Sequence, residues 1–182
     1  MRFKRRGGSI RAELSPVEVD VLVAVVSDLL VLVGVEESAE ADPLAAMVGL
    51  PGGSVERPSD PALARLLPDA YGEDEAAAAE FRRFTEAELR AGKRANATIV
   101  LATLAPLADH GGRLVLDRDE ADAWLGCLND VRLVLGTRLE VTEETDVAPL
   151  GDDPRSHALQ VYGWLGWLQE SLLSCLDPRM PR

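Results

Sequence analysis

Two histidines, His110 and His157, and two cysteines, Cys127 and Cys175, bound most of the chemistry this chain could perform. Zinc needs His or Cys ligands at short helical or hairpin spacings, and each of these four stands alone among apolar or glycine neighbours. The acidic runs Glu73-Asp74-Glu75 and Asp117-x-Asp119-Glu120 lack the glycine and distal Glu of a calcium loop. They read instead as helix starts whose acids match the dipole. No metal is expected. The glycine pairs at 7–8, 52–53 and 111–112 are explained by turns, and neither GxGxxG nor GxxxxGK[ST] occurs. No cofactor is expected. Nucleophilic catalysis needs a base beside the nucleophile, and no signature such as GxSxG is present. The residues give no positive sign of an enzyme.

What remains is a polar constellation on two helices. Arg82, Glu86 and Lys93 follow i, i+4, i+11 spacing, with Glu86 able to reach Arg82 or Arg90. A second segment holds Asn129, Asp130 and Arg132, with Arg132 at the edge of an apolar stripe beside Leu128 and Leu135. A charge there needs a partner, because an unpaired one is costly to bury. One reading has Arg132 and Asn129 bridging to Glu86 or Asp130 to fix helix packing. The other has Arg82, Lys93 and Arg132 lining a pocket for an anion or peptide. Trp164 and Trp167, three apart on a helix, are core residues or anchors for a partner.

These residues need helices to position them, and the helix signals are clear. Ser15-Pro16-Val17-Glu18 supplies a cap, a proline at the first helical position and a glutamate to close the box. The helix runs to about Gly34. Its polar positions Asp20, Ala24, Ser27 and Asp28 form one narrow stripe, which leaves the rest buried. The alternating valines 17–25 also fit a strand, but cap and length decide for helix. From Glu73 to about Asp109 the pattern is helical, with a break open near Gly92. In its first half Ala77, Phe81, Phe84 and Glu88 share one side, and Arg82, Glu86, Arg90 and Lys93 another. Its second half, Ile99 to Leu107, is apolar all round, as in a helix through the centre of a bundle. Asp117-x-x-Glu120 caps a helix to about Leu139 with Trp124, Leu128, Val131, Leu135 and Leu139 as its core stripe. A last helix covers about Ser156–Leu176 and ends at Asp177-Pro178.

Around the helices lie a basic hairpin over residues 1–14, turned by Gly7-Gly8, and a strand candidate, Arg113–Leu116, able to join it in a small sheet. The hairpin's basic residues would protect exposed strand edges. Residues 36–72, broken by Pro43, Pro51, Pro58, Pro61 and Pro68, form an irregular connection or a lid, with room for short helices at Pro43–Val48 and Ala62–Leu67. Residues 140–155 form an acidic loop. The chain reads as one domain over 1–182, mainly α: a helical bundle of about four main helices with a small N-terminal β-hairpin.

Charge narrows the partners. The net charge is −12, and setting aside the five cations of residues 1–11, which hold no acid, leaves −17 on the rest. Such a body repels phosphate backbones and anionic membrane surfaces, which argues against both nucleic acid and membrane. Val17–Val35 is interrupted by Asp20, Ser27 and Asp28, so it reads neither as a span nor as a signal peptide. Cys127 and Cys175 sit in apolar helical stretches as buried reduced thiols, with one disulfide between them left open. The expectation is a cytoplasmic protein, with a homo-oligomer and a protein partner both compatible with the sequence.

Glu80-Phe81-Arg82-Arg83-Phe84-Thr85-Glu86, Ala123-Trp124-Leu125, Leu128 through Leu139 and Tyr162-Gly163-Trp164-Leu165 to Gln169-Glu170 resemble an uncharacterised actinobacterial family, a domain of unknown function. The resemblance spans nearly the whole chain outside residues 36–72, and Leu128-Asn129-Asp130-x-Arg132-Leu133 is its most specific piece. It brings no catalytic residues. Family members are often encoded beside the adaptor of the Clp protease, which implies a role near protein turnover. Some are labelled transcriptional regulators, a role that finds no basic recognition helix here. The resulting expectation is a non-catalytic interaction or regulatory protein. The alternatives are a small-molecule or peptide binder or enzyme using the Arg/Glu/Lys/Asn cluster, and a regulator binding DNA through the basic hairpin.

Overall fold

In the computed structural model, which describes residues 2–34, 56–71, 74–145 and 154–177, the first strands turn at Gly7, whose φ of 62° suits a two-residue hairpin. Strands β1 (Lys4–Arg6) and β2 (Ser9–Leu14) pair antiparallel, and β3 (Gly112–Leu116) pairs with the other side of β2, giving the order β1-β2-β3. The strand candidate at 113–116 therefore does join the hairpin. Alternation sends Ile10, Ala12, Leu14, Leu114 and Leu116 inward, while Arg11, Glu13, Arg113 and Val115 face out. Phe3 meets Trp124 edge-on at 5.8 Å between ring centroids, and the Trp124 indole N–H donates to Thr103 Oγ1 at 2.9 Å.

The outer edge of β1 is sealed. Phe3 N–H donates to Ser171 Oγ at 3.3 Å, and Arg5 N–H donates to the Cys175 thiol. The basic residues are thus not what closes this edge in the folded protein, as the sequence suggests; a helix does.

Helix α1 (Pro16–Gly34) starts as the sequence predicts: Ser15 N–H donates to Glu18 Oε2 at 2.8 Å, and Glu18 N–H to Ser15 Oγ at 3.4 Å. Its burial is narrower than expected. Val19, Leu22, Val26, Leu29 and Val33 form one inward stripe, whereas Val17 and Val31 are exposed by 70% and 69%. A helix of nearly uniform apolarity carries no face in its sequence, and packing chooses one. Helix α2 (Pro61–Leu66) is held by Asp60, whose carboxylate accepts from Ala62 and Leu63 N–H at 2.7 and 3.1 Å. The short helix expected at Pro43–Val48 lies outside the described residues.

Helix α3 (Glu75–Leu104) is one continuous rod of 30 residues with no break at Gly92, about 45 Å long. A 3-10 turn (Ala105–Leu107) leads from it towards β3. Helix α4 (Arg118–Arg138) opens on the full Asp117/Glu120 capping box, and α5 (Ser156–Leu176) closes the described chain. The centre of the bundle is α4, not the apolar half of α3. Helix α4 packs against α1, α2, α3, α5 and the sheet, burying Ala121, Trp124, Cys127, Leu128, Val131 and Val134. On α3 the second half buries only Ala97, Val100 and Leu104, and leaves Ile99 exposed.

Both cysteines are free thiols. Burial pushes the Cys127 thiol up to about 12, and the nearby Asp130 charge adds to the effect. Half-buried Cys175 is also raised by burial, which outweighs the opposing Arg5 N–H bond and the charges of Arg2 and Arg5. Both therefore hold their protons at neutral pH. For Cys127 the unfolded thiol ionises near 9 and the native one near 12, so its contribution to stability is intact below pH 9 and falls as pH rises from there.

Candidate functional site

The charged side of α3 faces inward. Arg82, Glu86 and Arg90 are among the most buried residues of this helix, and Phe84, from the side that carries the aromatic residues, is exposed. The reversal has a local cause: every inward charge meets an opposite charge or a carbonyl. Arg82 Nη1 pairs with Asp69 Oδ1, and Arg57 approaches the same carboxylate from outside at 3.8 Å. Glu86 Oε1 accepts from Arg90 Nε at 2.8 Å and lies 2.7 Å from Arg90 Nη2. Arg90 Nη1 then reaches Val33 O at 3.3 Å, a carbonyl in the last turn of α1, where a cation is favoured by the helix dipole. One turn on, Lys93 Nζ donates to Asp130 Oδ1 at 2.8 Å, tying α3 to α4.

Arg132 belongs to a different contact. It leans on α5, donating from Nη1 to Gln169 Oε1 at 2.7 Å and from Nη2 to Tyr162 Oη at 3.5 Å. Its guanidinium sits 5.1 Å from the Tyr162 ring centroid, a cation–π distance. Gly166 lies under the guanidinium, and a Cβ there would touch it at 3.4 Å, ordinary contact distance. Across the same contact a Cβ on Gly136 would lie 3.2 Å from the Tyr162 ring. Exposed Asn129 joins only through a long 3.5 Å bond from Gln169.

The structure thus brings together Glu86 with Arg90 and Lys93 with Asp130, and separates both from Arg132. The bridges expected from Arg132 and Asn129 to Glu86 or Asp130 do not form, because each of the four has a nearer partner on α3 or α5. Among the described residues Arg82, Lys93 and Arg132 border separate surfaces. Arg82 borders a cleft with Arg57, Asp69 and Tyr71. Lys93, Asn129 and Asp130 border another, about 530 Å³, with Phe81, Thr85 and Leu89. Trp164 is half-buried and lines a cleft with Val17, Val21 and Val161, while Trp167 is 44% exposed and borders a cleft with strand residues. Sequence reasoning missed Asp69, Tyr162 and Gln169. The last two sit seven apart on α5 with Gly166 between them, a spacing that hinted at a slot for a long side chain.

Arg132→Ala is expected to cost about 1–3 kcal/mol by urea unfolding, since a charge-assisted bond and a stacking contact go together. Arg132→Lys should recover less than half of that, because an ammonium cannot lie flat on the ring or fork between two acceptors. Full recovery by lysine would reduce the contact to charge alone.

Among the described residues no helix is long and apolar enough to cross a membrane. Residues 1–176 match the family described as Domain of unknown function (DUF2017). A protein of Mycobacterium tuberculosis named "Oxidative stress regulator AosR" is 34% identical over 186 residues, covering 94% of this chain and 84% of its own. A relative from Mycobacterium leprae is 36% identical over 184 residues, covering 93% and 83%. No solved structure matches the chain significantly.

Proposed function

The chain belongs to the DUF2017 family, and from that membership we propose that it is a non-catalytic regulatory protein, one folded unit that acts by binding a protein partner. The observation carrying this reading is the contrast between the polar cluster and Trp167. Arg82, Glu86, Lys93, Asp130 and Arg132 are each engaged with a neighbour from their own or another helix. Trp167, by contrast, spreads a large aromatic surface into solvent, as partner anchors do. The name of the mycobacterial relatives supports placing the regulation in the response to oxidants.

The test is a deletion of the gene in its host, complemented with the wild-type chain or with Trp167→Ala. Expected are an altered transcript response and altered survival under hydrogen peroxide, restored by the wild type and not by the variant at equal protein level. A deletion strain that matches its parent under peroxide would remove the regulatory reading. The second reading, a small-molecule or peptide binder, draws on the cleft of about 530 Å³ bordered by Lys93, Asn129 and Asp130. A bound metabolite co-purifying with the wild type and lost with Asn129→Leu would favour it.

A further inference from the structure

The outward face of the sheet concentrates positive charge on an otherwise acidic molecule. Register places Lys4 directly opposite Arg11, with Val115 next in the same row, and Arg113 opposite Glu13. Lys4, Arg11, Glu13 and Arg113, with Arg2, Arg6 and Trp167, border a cleft of about 620 Å³. Five cations line it against a single acid, Glu13, and that acid is already held by Arg113 at 2.9 Å. No carboxylate of the described residues lies in ion-pair distance of Arg2, Lys4, Arg6 or Arg11; Arg11 Nε donates to the neutral Ser9 hydroxyl. Like charges directly opposite on paired strands are unfavourable, so the face carries a repulsion that an anionic partner would relieve.

We propose that this face, the outer surface of β1–β3 with Arg2 and Trp167, docks an acidic polypeptide segment that carries a large apolar side chain. The proposal rests on the reading of the protein as a partner-binding regulator and supplies the partner's chemistry. Carboxylates meet the arginines, whose planar forks donate to both oxygens at once. The apolar side chain packs on Trp167. A short segment suits the site better than a nucleic acid, because three strands span only about 10 Å and a long polyanion would run onto the acidic body. A lone tryptophan is also not the series of stacking rings that single strands use. A flat anionic membrane would meet that same body. The segment lies across the face and does not extend the sheet at β1, whose outer N–H groups already bond Ser171 and Cys175.

The test uses the full chain and a fluorescein-labelled twelve-residue peptide of Asp and Glu with one central Leu, read by anisotropy at low salt. Binding is expected to weaken about tenfold or more in Lys4→Glu/Arg11→Glu, several-fold in Trp167→Ala and several-fold when the peptide's Leu becomes Ser. The milder Lys4→Gln/Arg11→Gln serves if the charge reversal melts the protein. Absence of peptide binding, or binding indifferent to the Lys4 and Arg11 changes, overturns the proposal. So does tighter binding of an oligothymidylate of equal charge, or of phosphatidylglycerol vesicles. Failure here with the peroxide phenotype intact removes this face and leaves the regulatory reading. Peptide binding as expected with no phenotype does the reverse.

Discussion

Arg90→Met is expected to lower the unfolding free energy by about 3–5 kcal/mol, among the largest losses any surface-distant charge in this protein could cause. The reason lies in what stays behind. Glu86 is 5% exposed, its Oε1 accepts from Arg90 Nε at 2.8 Å, and its Oε2 is buried with no hydrogen-bond partner among the described residues. Without Arg90 a carboxylate is stranded between helices, and Val33 O loses the cation at the end of α1. The double variant Glu86→Leu/Arg90→Met removes the charge along with its partner. It should be less destabilised than Arg90→Met and can approach wild-type stability, since apolar side chains of similar volume often replace buried pairs at no cost. Urea unfolding of the two variants checks both statements. A double variant as unstable as the single one would mean that packing, not the stranded charge, sets the cost.

Gly111→Ala is expected to cost about 2–5 kcal/mol, from left-handed backbone strain and forced displacement together. Gly111 has φ of 64° and stands where β3 meets the start of α1. A methyl there would drive into the Leu14 carbonyl oxygen and sit 2.9 Å from Pro16 N and Ser15 C. All of these are backbone atoms, held by the sheet on one side and the Ser15/Glu18 cap on the other, so nothing cheap can move. Gly126→Ala is the control. Its Cβ would meet only the Asn96 amide end, a side chain free to rotate, and alanine gains about 1 kcal/mol of helix propensity. Thermal melts of the pair should separate widely.

The contrast between these glycines is a fair measure of what the sequence discloses. Devices closed within four residues are readable: the Ser15/Glu18 and Asp117/Glu120 boxes, and the Gly7-Gly8 turn, form as read. Strand β3 is also legible, because Leu114 and Leu116 alternate between turn residues and a cap. The direction in which α3 faces is not. In the sequence Arg82 and Glu86 read as partners of Arg132 and Asn129 or as a pocket lining, because Asp69 and Val33, which lie beside this face, are not within a helical turn of it in sequence. Arg132 fails for the same reason: its partners Tyr162 and Gln169 are 30 and 37 residues away. The basic cleft was half visible. Its cations are adjacent in the sequence, but Arg113 and Trp167 arrive from elsewhere in the chain.

The seal on β1 sets an order of events during synthesis. Phe3 and the Ser171 that satisfies it are 168 residues apart, so at typical elongation rates the first strand waits roughly 10–30 s for the last helix. Over that interval the nascent hairpin presents an open row of amides to any neighbouring chain. Lys4, Arg5 and Arg6 keep it apart by charge in the meantime. The cations that the finished fold no longer needs as edge guards serve as gatekeepers on the ribosome, before α5 takes over.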